Sequence, residues 1–238
     1  MRNKLLHILS TKLLDDALIR KAGDQVQLDC RSFLQTQPVA PEQVTALLAD
    51  VPLLDQAVIF TSANAVTAVA AALTNQPRWR VFCIEAATRK KVQELLPGTT
   101  ISASAPNGAQ LVKQIIGHAP DPVVFFCGNL RLDTIPDGLK QNAISCREKV
   151  VYKTIKTPVH IDQHYDGILF YSPSGVESFF SLNKISPETS AFSIGPSTTR
   201  ALKKYTSNIV EAAQPDVEQM IGMIADSTRR SARGSKDF

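Results

Sequence analysis

The chain has 238 residues, a formal net charge of +4 and a hydrophobic fraction of 44%, which suits one large or two ordinary globular domains. Its basic residues are spread out, apart from Arg229-Arg230-Ser231-Ala232-Arg233, without the aromatic-flanked stripe of a nucleic-acid binder, and the mild excess allows but does not require a polyanionic small ligand. Cys30, Cys83, Cys127 and Cys146 form no C-x-x-C pair, and His7, His118, His160 and His164 show no ligand spacing with them, so buried reduced thiols are expected, with neither a disulfide frame nor a metal site.

The N-terminus carries charges but no sustained apolar run, so neither a signal peptide nor a membrane span is expected and the chain reads as cytoplasmic. Leu5–Leu9 reads as the first strand, followed by a helix over Asp15–Ala22 that Gly23 would end in a left-handed conformation. Val26–Asp29 is the second strand, and Pro41 suits a first helical position before Val44, Leu47 and Leu48. Further strands are expected at Ala57–Phe60, Arg80–Ile84, Val123–Phe126, Lys149–Tyr152, Gly167–Tyr171, Ala191–Ile194 and Asn208–Val210, with helical-period segments between them. His160 and His164 flank Asp162 in a polar surface segment, and Ser227–Phe238 reads as a polar, mobile end. Such alternation predicts an α/β fold with parallel sheets covered on both faces.

An internal repeat runs through this pattern. Ala57–Val66 (AVIFTSANAV) aligns with Gly167–Val176 (GILFYSPSGV) at an offset of 110, which also pairs Cys83-Ile84 with Ser193-Ile194 and Thr88 with Thr198. At 109, Pro106-Asn107 pairs with Pro215-Asp216. The first copy continues through Val123–Gly128 to Tyr152, whereas the second runs out of chain; its missing part stands at the N-terminus, and Phe33–Pro38 resembles Tyr152–Pro158. One domain is therefore expected to be discontinuous, residues 1–34 with 157–238, and the other inserted, residues 35–156. Two crossings would form a two-stranded β hinge beside an interdomain cleft.

Three loops lie past strand ends and before helices: Ser62-Ala63-Asn64, Ser172-Pro173-Ser174-Gly175, and Gly195-Pro196-Ser197-Thr198-Thr199. Strand carboxyl ends face the ligand crevice of open α/β sheets, and a helix N-terminus there offers free N–H groups to carboxylates or phosphates. The same Ser, Thr and Asn residues are also ordinary helix caps, so each has a purely structural alternative. No P-loop, no dinucleotide-binding glycine pattern, no G-x-S-x-G elbow and no paired acid–base carboxylates are present, so an enzyme built on this chain would act mainly by positioning a reactive substrate.

The segments Ile59–Val66, Val151–Thr154, Phe170–Val176, Ser193–Leu202 and Ala213–Pro215 together resemble uroporphyrinogen-III synthases, over most of the chain. The resemblance implies two flavodoxin-like domains joined by a β-ladder, and a cofactor-free, metal-free lyase. Such an enzyme would close hydroxymethylbilane, an octacarboxylate, with inversion of its last ring, as a monomer with neither nucleic acid nor membrane as partner. It implies Tyr152 as the group assisting loss of the hydroxyl, against the alternative of simple packing in the hinge. It implies Thr11, Lys12, Ser62, Asn64, Ser172, Ser174, Gly175, Gly195, Ser197 and Thr198 as substrate-binding positions, with Lys153, Arg131 and Arg200 as further charge partners. Thr11-Lys12-Leu13 stands where the family has Thr-Arg-Pro, Glu85-Ala86-Ala87-Thr88 where it has a glycine before the threonine, and Leu28-Asp29-Cys30-Arg31 lacks a usual proline. A diverged, non-catalytic anion-binding relative is the alternative that these departures leave open.

Overall fold

The protein is described here by a computed structural model over residues 5–118 and 122–224; Ser227–Phe238, with its basic cluster, lies outside the described residues. In chain order the first elements are β1 (Leu6–Ser10), α1 (Asp16–Lys21), β2 (Val26–Cys30), β3 (Leu34–Pro38), α2 (Pro41–Leu48), β4 (Leu54–Phe60) and α3 (Ala63–Ala72). Then come β5 (Arg78–Ile84), α4 (Ala87–Leu95), β6 (Thr100–Ala105), α5 (Gly108–His118), β7 (Val123–Gly128), α6 (Thr134–Gln141) and β8 (Cys146–Lys156). The last are β9 (Gly167–Phe170), α7 (Pro173–Phe180), β10 (Ser190–Ser193), α8 (Pro196–Leu202) and β11 (Ile209–Glu211), followed by helical backbone over 217–224.

The local signals act where the chain places them. Asp15 caps α1 by accepting from the Leu18 amide at 2.8 Å, and Gly23 takes φ +84 just beyond the helix. Pro41 opens α2 in its first turn. β3 falls in the segment expected as one strand of the β hinge and neighbours β8. One strand was not among those expected: β6 is the small, polar run Thr-Ile-Ser-Ala-Ser-Ala, with no β-rich apolar signal of its own. The strand expected at Lys149–Tyr152 extends over Cys146–Lys156, and those expected to end at Tyr171 and Ile194 stop one residue earlier, where the backbone already turns toward a helix.

The chain divides into two units, Met1–Gln35 with Ile155–Phe238, and Thr36–Thr154. The first holds a sheet of order β11-β10-β9-β1-β2 with every registered pair parallel. Counted in chain order its strands run 2-1-3-4-5, the flavodoxin-type arrangement. The second unit's sheet runs β3-β8-β7-β4-β5-β6, parallel from β8 to β6. Here β4, β5 and β6 take the places of β9, β10 and β11, while β7 and β8 take those of β1 and β2. The second unit is thus the same sheet entered at its third strand.

Central strands of both sheets are buried along their whole length, β9 as Gly-Ile-Leu-Phe and β7 as Val-Val-Phe-Phe-Cys-Gly. A parallel sheet covered by helices on both faces requires such continuous apolar runs. Phe179 meets Phe33 and Phe170 edge-on at 5.2 and 5.4 Å in the first unit. In the second, Phe126 stacks with Phe60 and Trp79 at 5.3 and 5.6 Å, and the Trp79 indole donates to the Pro52 carbonyl at 2.7 Å. All four cysteines are free; burial pushes the Cys83 and Cys127 thiols up to about 11, so they stay protonated and pack as small hydrophobes.

One turn is strained. Ala86, which precedes α4 without a side-chain cap, has φ 59 and ψ −121, a region in which a Cβ is costly and glycine is not. Ala86→Gly is therefore expected to raise the unfolding free energy by about 1 kcal/mol, strain relief outweighing the added freedom of the unfolded chain. The measurement is a urea melt, with a higher midpoint at unchanged slope; an unmoved midpoint would show that the strain is not in this residue.

Candidate functional site

In the first unit β10, β9 and β1 are adjacent, so the loops after them share the sheet's carboxyl edge. The chain reverses its direction of winding between β1 and β9, the place where open α/β sheets bind ligands. At the end of β9, Ser172 caps α7: its hydroxyl accepts from the Gly175 amide at 3.1 Å and lies 3.3 Å from Ser174 Oγ. The Gly175 N–H is thereby used, leaving the two serine hydroxyls as the exchangeable polar groups of this turn. At the end of β10, Ser193 Oγ donates to the Gly195 carbonyl at 2.9 Å and receives the Thr199 hydroxyl at 2.9 Å. Ser197 is exposed, whereas Thr198 is 1% exposed.

Thr198 caps nothing. Its Oγ1 is buried and has no hydrogen-bond partner, and Gly195, which precedes α8, supplies no side-chain cap either. A buried hydroxyl without a partner carries a desolvation cost of about 1–3 kcal/mol, which a bound acceptor would relieve.

At the end of β1, Thr11 is buried, its hydroxyl and amide both donating to the Leu169 carbonyl, at 2.7 and 3.1 Å. These bonds tie β1 to β9 and leave Thr11 without a free donor. Lys12 is exposed, with its ammonium 5.0 Å from the centre of the Tyr171 ring. The Tyr171 hydroxyl lies 2.9 Å from Ser10 Oγ. Ser10 already gives its proton to the Lys12 carbonyl at 2.7 Å, so Tyr171 is the donor to Ser10. Burial pushes the Tyr171 phenol up to about 12, against a smaller opposite pull from Ser10, so it is neutral at cellular pH. Ser10 and Tyr171 were not foreseen as site residues; the one signal available was their place at the ends of adjacent strands.

In the second unit the corresponding edge carries Ser62, whose hydroxyl caps α3 by accepting from the Asn64 amide at 3.2 Å. The Asn64 side chain is exposed beside it. Glu85 is exposed after β5. Tyr152 is half-buried in β8, packed against the cluster of Phe60, Phe126 and Trp79, and Lys153 beside it is exposed. Arg131 is not a free charge: it is bonded to Glu148 and, at 2.5 Å, to Asp133, which hold its guanidinium in the protonated form. Arg200 sits in the last turn of α8, exposed and favourably placed against that helix's dipole. Among the described residues no group of His, Cys, Asp and Glu could hold a metal ion, and no helix is long and apolar enough to cross a membrane.

The two kinds of hydroxyl separate under mutation. Ser172→Ala should cost about 1 kcal/mol of stability by loss of a cap. Thr198→Val, isosteric and breaking no bond, should leave thermal stability unchanged or higher while weakening ligand binding. A Thr198→Val protein with a lowered midpoint and unaltered ligand affinity would assign the residue to structure alone.

The sequence matches the family model described as uroporphyrinogen-III synthase HemD over residues 16–222, a span that holds every candidate residue except Thr11 and Lys12. In fold the chain is similar to the crystal structure of uroporphyrinogen-III synthetase from Helicobacter pylori, at 16% identity and a TM-score of 0.67, covering 93% of this chain and 99% of that one. It is also similar to a mutant uroporphyrinogen III synthase from Thermus thermophilus, at 14% identity and a TM-score of 0.61, covering 94% and 99%. At such identities these likenesses speak for a shared α/β fold. The sequence match, which takes in the greater part of both units, goes further, and on it this chain belongs to the uroporphyrinogen-III synthase family.

Proposed function

We propose that this chain closes hydroxymethylbilane to uroporphyrinogen III, losing water and inverting the last pyrrole ring, without a cofactor. The observation that carries the reading is the family match over residues 16–222. The electron pair of the first pyrrole nitrogen expels the hydroxyl of the hydroxymethyl arm, leaving an azafulvene. The substituted carbon of ring D attacks it to form a spiro intermediate, which fragments and recloses in the type III order. The Tyr152 phenol assists by hydrogen-bonding or protonating the departing oxygen. A proton released as the pyrroles regain aromaticity balances the one lost with water.

The substrate's carboxylates fall to the loop groups that the folded chain leaves unpaired or readily exchanged. Thr198, Ser197, Ser172, Ser174, Ser62 and Asn64 supply hydroxyl and amide donors. Gly175 and Gly195 allow close approach of the backbone. Lys12 supplies charge, and Thr11 fixes the strand that carries it. Two domains, residues 1–34 with 157–238 and residues 35–156, and a monomer working in the cytoplasm belong to the same proposal.

Supplied with hydroxymethylbilane generated in situ, the protein should yield the type III isomer in excess over the type I isomer that forms unaided. A product ratio equal to the blank would sink the catalytic reading and leave a non-catalytic binder of the same fold. Tyr152→Phe should lower turnover roughly tenfold to a hundredfold with product affinity nearly intact. Lys12→Met should raise KM and flatten its dependence on salt, since one screened charge contact is gone; an unaltered salt dependence would remove Lys12 from carboxylate binding.

A further inference from the structure

Successive residues of a strand point to opposite faces of the sheet. In β8 this fails at one place, where Val151 and Tyr152 both pack against the cluster of Phe60, Phe126 and Trp79. The register gives the cause: Cys127 stands opposite Val150 and Gly128 opposite Tyr152, so Val151 is one residue more than β7 can match. A bulge of this kind re-aims the side chain that follows it.

The re-aimed ring lies against Gly128. A Cβ at that position would be 2.5 Å from Cζ of Tyr152, 2.7 Å from Cε2 and 2.8 Å from the hydroxyl oxygen, closer than any side chain permits. The next residue fixes the strand beyond the ring. Asn129 Nδ2 donates to the Thr154 carbonyl at 3.2 Å, and its Oδ1 accepts from the Thr154 amide at 2.6 Å. Tyr152 is therefore bracketed by the bulge before it and the clamp after it, over a floor that only glycine provides. Its hydroxyl makes no hydrogen bond to another described residue and is left available to a ligand.

We propose that Gly128 and Asn129 are positioning residues for the Tyr152 hydroxyl, an assignment that rests on the catalytic reading of Tyr152. Neither touches the reacting atoms; both set where the phenol is held when the hydroxyl departs. A displacement of about 1 Å suffices to lose two orders of magnitude in rate, so a side chain at residue 128 acts on turnover before it acts on substrate binding.

The test is a pair of mutant cycles with hydroxymethylbilane generated in situ. Gly128→Ala should lower kcat roughly tenfold to a hundredfold with little change in KM, and should lower it no further when added to Tyr152→Phe. Asn129→Ala, at an exposed position, should give a smaller loss of kcat with the same non-additivity. In thermal unfolding Gly128→Ala should lower the midpoint of the otherwise native protein but not that of Tyr152→Ala, where the ring is gone. Equal kcat losses in the Tyr and Phe backgrounds, or a native kcat in Gly128→Ala, would overturn the proposal and leave Tyr152's role standing. Native turnover in Tyr152→Phe would instead overturn the reading beneath it. A Gly128→Ala chain that stays unfolded even with Tyr152→Ala would show that something other than the ring requires the glycine, and the proposal fails.

Discussion

Wherever a buried parallel strand turns into a helix, the first amides of the helix have no partner within it, and they lie at the edge of the sheet where a ligand would sit. In this chain side chains answer part of that demand at some turns, while α2, α4, α6 and α8 start without a side-chain cap. Ser62 caps α3 and Ser172 caps α7 at equivalent places of the two sheets. Asn107 accepts from the Gln110 amide at 3.0 Å, and Asp216 from that of Glu218 at 3.0 Å, again at equivalent places. Each cap is worth about 1 kcal/mol, and each removes a backbone donor from what a substrate could use. Each cap withdraws one amide, so at the capped turns recognition of an anion falls to the remaining amides and to the side-chain groups left over.

Those left over are few and of one character. Thr198 Oγ1 is buried without a partner, Lys12 rests on an aromatic face and not on a carboxylate, and the Tyr152 hydroxyl is unbonded within the described residues. In the second unit carboxylates hold Arg131, while Lys153 stays exposed. The phenol of Tyr171 is held neutral by burial and spends its proton on Ser10. Taken unit by unit, these groups offer hydrogen-bond donors and a little positive charge. Such a set suits a substrate that brings its own reactivity and its own negative charge, as the proposed reaction does.

How much of this was legible depends on the range of the interaction. Strands buried on both faces, such as Val123–Gly128 and Gly167–Phe170, announce themselves as apolar runs because their burial leaves no alternative. The offset of 110 was legible because equivalent turns need equivalent caps; Ser62 and Ser172 are conspicuous for what they do to the next amides. β6 was not legible, since its small and polar residues draw their strand geometry from pairing with β5. Nor were Ser10 and Tyr171, whose contact joins residues 161 apart in the chain, or Gly128, whose role exists only once β8 bulges opposite it. A cap is written in four consecutive residues; a register shift is a property of two strands, and neither alone contains it.

The same reasoning bears on the departures from the family pattern. Glu85 is exposed at the end of β5, and Ala86 beside it holds a backbone conformation that glycine adopts freely. Had the turn relaxed to suit alanine, α4 would begin elsewhere, and Thr88, buried in its first turn, would move with it. The chain instead keeps the turn and tolerates the strain. That choice is understandable if β5, paired on both sides with β4 and β6 and buried over Val81–Cys83, fixes where the helix must start. Strain at one φ of order 1–3 kcal/mol is small against the packing that a shifted strand would lose, so the sheet dictates the turn and the substitution is carried as a local cost.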